Sequence, residues 1–197
     1  MVIHITKKLS CFALLGFFFL TQQVNAAIIE QQGRSPVSVV EVLDYNCIHC
    51  HNQELTMLDV RREFKQVTFK VLPVAILKPS SIEKAAVAYE LALNYPNAFQ
   101  GYHLALLADG RSSDSYLSQY FSKDLVNKII NNAKDNKAIF NQMQYGQSLL
   151  DHYDSGTPLL LIYDRHISKD KPVMVFKGET NFNQLERGID HYVRRNN

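Results

Sequence analysis

The stretch that most restricts this chain is VSVVEVLDYNCIHC, Val37 to Cys50. Val37 to Tyr45 is rich in β-branched residues and is too short and too apolar for a surface helix, so it reads as a buried strand. No Gly or Pro interrupts Cys47 to Phe64, and Leu55, Leu58 and Val60 recur there among polar residues. That pattern predicts a helix beginning at or near Cys47. VTFKVLPVAI, Val67 to Ile76, predicts a second strand, ended by Pro73 or by Pro79. Strand, helix and strand with short connections make a parallel βαβ unit. Two cysteines therefore sit where a strand hands over to a helix.

CIHCH, Cys47 to His51, admits three chemistries. C-x-x-C-H is the attachment pattern of a c-type haem, and C-x-x-C is a redox-active thiol pair. A structural zinc site is the third. A haem needs a sixth ligand or an open distal pocket; Met57, Met143 and Met174 are available, but a strand feeding directly into the motif is not the setting expected for it. Zinc wants four protein ligands, and Cys47, Cys50 and His51 supply three. The redox reading accounts for more. A cysteine at a helix N-terminus meets unpaired backbone N–H groups and the positive end of the helix dipole, both of which favour the thiolate. His49, between the two, adds positive charge or a hydrogen bond. Cys47 is then the attacking sulfur, and Cys50, one turn deeper, resolves the mixed disulfide.

The N-terminus speaks to compartment. Lys7 and Lys8 precede an apolar core of twelve residues, Leu9 to Leu20, and Val24 and Ala26 stand at the −3 and −1 positions of a cleavage site. Residues 1–26 read as a secretory signal peptide; an uncleaved anchor is the alternative, although the apolar run falls short of the ~20 residues a spanning helix needs. Of 21 Lys and Arg and 19 Asp and Glu, the leader holds two lysines and no acid, so the mature chain is balanced at 19 of each. Nothing in that balance calls for electrostatic capture of nucleic acid. Cys11 leaves with the leader, so Cys47 and Cys50 are the mature cysteines, in an exported and oxidising setting. A disulfide across two residues closes too small a loop to stabilise the fold much, which argues for a chemical purpose.

Between Ile82 and Leu150 the texture is helical: Ile82, Ala85, Ala86, Tyr89 and Leu93, then Leu125, Val126, Ile129, Ile130 and Ala133 after a Ser-rich turn (RSSDS, Arg111 to Ser115), then Phe140, Met143 and Leu149/Leu150. These stripes read as core. Strand texture returns after SGTP, Ser155 to Pro158, with LLLIYD and Val173 to Phe176. A final amphipathic helix carries Leu185, Ile189, Tyr192 and Val193, with Asn181 or Asn183 as its cap. The expected organisation is a domain of residues 27–79 and 151–197, interrupted by a helical domain of residues 80–150. His103, His152 and His166 have no partner at useful spacing and read as solvated or structural.

VVEVLDYNCIHC resembles the active-site strand and helix start of the thioredoxin superfamily, and most closely the DsbA family of periplasmic thiol–disulfide oxidoreductases. SGTPLLLIYD resembles that family's second signature, a residue before a cis-proline that opens the next strand. The helical stretch between them resembles the family's inserted domain, and VFKG followed by a helix is similar to its closing hairpin and helix. The resemblance runs from about Ser38 to Tyr192. It implies an α/β thioredoxin fold with an inserted helical domain. It implies Cys47 and Cys50 as the catalytic pair around Ile48-His49, where the family commonly has Pro-His. Pro158 would be the cis-proline, leaving the Thr157 backbone to bond an extended client strand. Glu41, six residues before Cys47, resembles the buried acid that handles the proton of the deeper cysteine; an exposed strand glutamate is the alternative, and alternation does not decide between them. Thr157 stands where strong oxidases of the family have valine and is similar to the disulfide isomerases.

The expectation is a periplasmic oxidoreductase that introduces disulfides into reduced, unfolded exported polypeptides. It needs no cofactor and no metal, since its own disulfide accepts the electrons. It is recharged by a membrane redox partner and acts as a monomer, because residues 27–36 are too few for the dimerisation domain of the superfamily's isomerases. The alternatives are an isomerase or reductase, and a chaperone-like module that binds unfolded chains without redox turnover.

Overall fold

The computed structural model describes residues 27–196; the expected signal peptide, residues 1–26, lies outside them. Five strands form one sheet in the order β1-β3-β2-β4-β5. They are β1 (Ile28–Gln31), β2 (Val37–Leu43), β3 (Thr68–Pro73), β4 (Leu159–Asp164) and β5 (Met174–Lys177). β2 and β3 run parallel, joined through α1 (Ile48–Glu63), as the βαβ pattern requires. β4 lies antiparallel on the other side of β2, and β1 and β5 close the two edges antiparallel. Central β2 is almost wholly buried, which is why it is β-branched and nearly continuous in apolar residues. β1 is not visible in the sequence pattern: four residues, IIEQ, are too few to show an alternation.

Five helices lie between β3 and β4: α2 (Pro79–Asn94), α3 (Pro96–Asp109), α4 (Ser113–Tyr120), α5 (Lys123–Asp135) and α6 (Lys137–Tyr153). Three of these correspond to the expected stripes; α3 and α4 are additional. Pro96 opens α3, where a missing N–H is harmless. RSSDS is not a free turn, because the Ser112 side chain accepts from the Ser115 N–H and caps α4. In α2 the buried face includes Ala85, Ala86 and Tyr89, whereas Ile82 and Leu93, expected in that stripe, are exposed. Gly146 docks α6 onto the sheet: a Cβ there would stand 2.4 Å from Val74 Cγ1 and 3.2 Å from Leu72 Cγ.

The sheet separates two cores. On one face β2 and β4 pack Val37, Val39, Leu160 and Ile162 against Met57 and Val60 of α1, its C-cap Phe64, and Leu185, Ile189 and Val193 of the last helix, α7 (Phe182–Arg195). The other face, with Val42, Leu72, Leu159 and Leu161, carries the five-helix layer. Asn181 caps α7 in a reciprocal capping box with Gln184. α1 departs from its expected stripe. Its buried face is Cys50, Gln53, Glu54, Met57, Val60 and Arg61, at true helical spacing but half polar, and Leu55 is 68% exposed.

Candidate active site

Cys47 is the N-cap residue of α1, with extended backbone, and its carbonyl accepts the first helical bonds from Cys50 and His51, both at 3.1 Å. Its place is fixed from below. The Cys47 N–H bonds the Asp44 carbonyl at 2.9 Å. The buried Asp44 carboxylate accepts from the N–H groups of Asn46 (2.8 Å), Ile76 (2.9 Å) and Leu77 (3.1 Å) and from the Ser81 hydroxyl (2.7 Å). Asp44 thus ties the end of β2 to the loop between β3 and α2. Sequence reasoning passed over it; an acid ending a buried strand just before a helix is the signal that could have found it.

The two sulfurs occupy unlike environments. Cys47 retains 5% of its surface and Cys50 none, and both are free thiols. The Cys50 thiol, donating to the Cys47 sulfur, is the main influence that lowers the Cys47 pKa to about 5; burial opposes it, and a hydrogen bond from Thr157 and the backbone N–H groups of Cys50 and His49 add to it. Burial pushes the Cys50 thiol far up, and its bond to Cys47 pushes the same way. In the thiol form Cys47 Sγ donates to the Thr157 carbonyl at 3.2 Å. The Thr157–Pro158 bond is cis. The Thr157 hydroxyl is buried and has no hydrogen-bond partner.

Glu41 shares with Val37 and Val39 the face of β2 that α1 covers. It is fully buried, and neither carboxyl oxygen has a hydrogen-bond partner. Burial pushes its pKa well above the ordinary carboxyl value, and the nearby Glu54 and Glu30 carboxylates push it further. A neutral acid in the field of Cys50 can give a proton to that sulfur when it leaves and take it back when it attacks.

His49 is exposed, and its Nδ1 lies 2.5 Å from Glu179 Oε1. The Asn52 amide donates to the same oxygen at 3.0 Å. Ile48, the other residue between the cysteines, is 63% exposed and faces solvent beside them.

Behind Glu41 lies a cluster assembled from three distant segments. Arg61 donates to Glu30 Oε2 at 2.9 Å and to Glu54. His103 Nε2 lies 3.2 Å from Glu30 Oε1 and 3.5 Å from Glu54 Oε2, and its Nδ1 is 2.9 Å from the Tyr45 hydroxyl. Burial disfavours a charged His103, but the two carboxylates outweigh it and hold its pKa above the ordinary value. Glu30, Glu54 and His103 could offer three metal ligands within 4.8 Å of one another. Arg61 already stands in the cation's place, and the set reads as a buried ion network. His103 is thus neither solvated nor partnerless; the fold supplies partners that its sequence spacing did not disclose.

No protein-family model matches this chain, and no curated protein does. Solved structures do. The thiol-disulfide exchange protein alpha-DsbA2 from Wolbachia pipientis aligns with 22% identity and a TM-score of 0.70, over 85% of this chain and 87% of that one. A thioredoxin-like oxidoreductase from Silicibacter pomeroyi DSS-3 aligns with 17% identity and a TM-score of 0.69, over 85% and 92%. Oxidised BdbD from Bacillus subtilis aligns with 16% identity and a TM-score of 0.67, over 87% and 95%. The chain has the thioredoxin-like fold with a helical insertion that these DsbA-like and thioredoxin-like oxidoreductases share.

Proposed function

We propose that the protein is an exported thiol–disulfide oxidoreductase that introduces disulfides into reduced polypeptides through Cys47 and Cys50. The observation that carries this reading is the asymmetry of the pair: one sulfur drawn down to about 5, the other pushed up over a neutral Glu41. Each step follows from it. A client thiolate attacks Cys47 Sγ of the oxidised pair; the S–S bond breaks, and Cys50 leaves as a thiolate that takes the proton from Glu41. A second client thiolate attacks the client sulfur of the mixed disulfide and expels Cys47, the better leaving group because its thiolate is stabilised. The client gains a disulfide, and the pair holds the two electrons. Glu41 regains its proton when Cys50 attacks in the return direction.

Return to the disulfide needs an outside oxidant, and a membrane redox partner is the class of protein that fits. The leader pattern in residues 1–26 supports export to the periplasm. The same reading carries a monomer, to be checked by light scattering. The test is equilibrium with glutathione, paired with the oxidative refolding of a reduced ribonuclease. A potential near −120 mV with fast disulfide formation is expected of an oxidase; one near −270 mV gives the protein to the reductants. A second reading, isomerase or reductase, has one observation in its favour, the threonine at position 157 beside the cis-proline. A Cys47→Ser, Cys50→Ser protein that prevents client aggregation as well as wild type would instead make it a binding module.

A further inference from the structure

The contact between His49 and Glu179 differs from an ordinary surface ion pair in how it is held. Glu179 lies in the loop between β5 and α7, pinned on both sides. Before it, the Gly178 N–H bonds the Pro158 carbonyl at 2.9 Å, with Gly178 at φ 78°, a conformation suited to glycine. After it, buried Thr180 is gripped twice by the buried Gln53 amide: Thr180 N–H to Gln53 Oε1 at 2.7 Å, and Gln53 Nε2 to the Thr180 carbonyl at 3.1 Å. Gln53 is one turn past Cys50 on the active-site helix. The carboxylate is therefore presented at a fixed height over the first turn of α1. There it meets both His49 Nδ1 and Asn52 Nδ2, with Asn52 completing the aim.

We infer that Glu179 is a positioning residue that keeps the imidazole of His49 charged beside Cys47 in both redox states, so that the thiolate is stabilised evenly across neutral pH. This rests on the thiol–disulfide reading of the pair. The groups that face His49 are Cys47 at the start of its own helix and Glu179 from the loop packed against it; Asn52, which shares the Glu179 oxygen, does not titrate. The hydrogen bond to Glu179 is the main influence raising the His49 pKa, and a Cys47 thiolate adds to it. Without Glu179 the oxidised protein has neither. His49 would then titrate at its ordinary value of about 6.5, leaving only about one tenth of it charged at pH 7.5.

The experiment is Glu179→Gln, with Glu179→Asp as the conservative partner. The His49 ring protons are followed by NMR against pH in the oxidised protein, and Cys47 alkylation against pH in the reduced one. In wild type His49 should titrate above 6.5 and alkylation should show one transition. In E179Q the His49 midpoint should fall towards its ordinary value of about 6.5, with a loss of charged imidazole at pH 7.5, and alkylation should gain a second inflection above the first. E179D should fall between them. His49 titrations that superimpose in wild type and E179Q overturn the inference, even where thiol exchange is intact. A wild type with no thiol reactive below pH 7 overturns the oxidoreductase reading instead, while the NMR result still decides the role of Glu179.

Discussion

Reduction should stabilise this protein, by an amount that grows with pH. Cys47 has a pKa of about 5 in the fold against an ordinary 9.0. A folded-state pKa below the unfolded one contributes stability that is fully present above pH 9 and is lost as pH falls through 5. At pH 7 the folded thiol has released its proton and the unfolded one has not. The difference is two pH units, or about 2.7 kcal/mol at ~1.36 kcal/mol per unit. At pH 8 it is about 4 kcal/mol, and at pH 4 close to nothing, by the same linkage. Cys50, pushed upward, stays protonated in both states below pH 8 and contributes no slope there. The disulfide form has no thiol to titrate, so subtracting its unfolding free energy from that of the dithiol form isolates this effect. Urea unfolding of both forms at pH 5, 6, 7 and 8 measures it. A difference that climbs by about 1.2 kcal/mol per unit over that range is expected, with the pH 7 contribution equal to about 60 mV in the two-electron potential. Reduced and oxidised curves that stay parallel from pH 5 to 8 would refute the assignment of a stabilised Cys47 thiolate.

Glu41→Gln should stabilise the oxidised protein increasingly as pH rises. The raised carboxyl holds a proton that the unfolded chain gives up above about 4.5, costing the fold ~1.36 kcal/mol per unit while Glu41 stays protonated; urea unfolding at pH 5 and 7 checks it, and stopped-flow should show slower expulsion of Cys50. Arg61→Met removes the cation shared by Glu30 and Glu54 and should cost about 3–5 kcal/mol, because it strands buried carboxylates; a loss below about 1 kcal/mol in a denaturant titration would mean that the network is not the closed set its burial suggests. Thr157→Val keeps shape and removes a hydrogen bond to the thiolate, so the alkylation midpoint of Cys47 should rise from about 5 with little change in melting temperature.

What could be read in advance follows how local the determinants are. The strand before Cys47, the helix after it and the capped α7 rest on residues near one another in sequence, and all three are where the pattern put them. The stripe on α1 was misread because apolar residues alone were counted. Stepping from Cys50 at 3.6 residues per turn reaches Gln53, Glu54, Met57, Val60 and Arg61, and the buried face is that set, Leu55 excluded. Polar residues occupy it because each finds a partner beyond the helix: Gln53 in the Thr180 backbone, Glu54 and Arg61 in Glu30 and His103. Those partners come from an edge strand too short to show a period and from a helix that its Pro96 start concealed. A single sequence carries no local mark of such meetings, so His103 and Glu30 were illegible, and the face of Glu41 became legible only once α1 was laid on β2.

The same geometry bears on Thr157, whose resemblance and chemistry point in different directions. By resemblance, threonine before the cis-proline belongs with isomerases. In this fold the hydroxyl is buried without a hydrogen-bond partner, and it lowers the pKa of Cys47 as a donor open to the thiolate. A donor to the thiolate stabilises the reduced pair, and a stabilised reduced pair is what makes a disulfide oxidising. Valine in its place could give no such bond, so oxidases that carry valine must draw their thiolate stability from elsewhere in the helix start. Threonine therefore does not argue against the proposed oxidase reading. Its consequence lies with the client: the hydroxyl that serves the thiolate must give it up once Cys47 is bonded to a client sulfur, and it is then free, beside the Thr157 carbonyl, to bond the client's backbone. On the proposed function, a mixed disulfide held in that way should dissociate more slowly and allow time for a second client thiol to arrive. On the proposed function, the residue at 157 would set how long a client stays, and the contrast between a buried Cys50 and a stabilised Cys47 would set which way the electrons run.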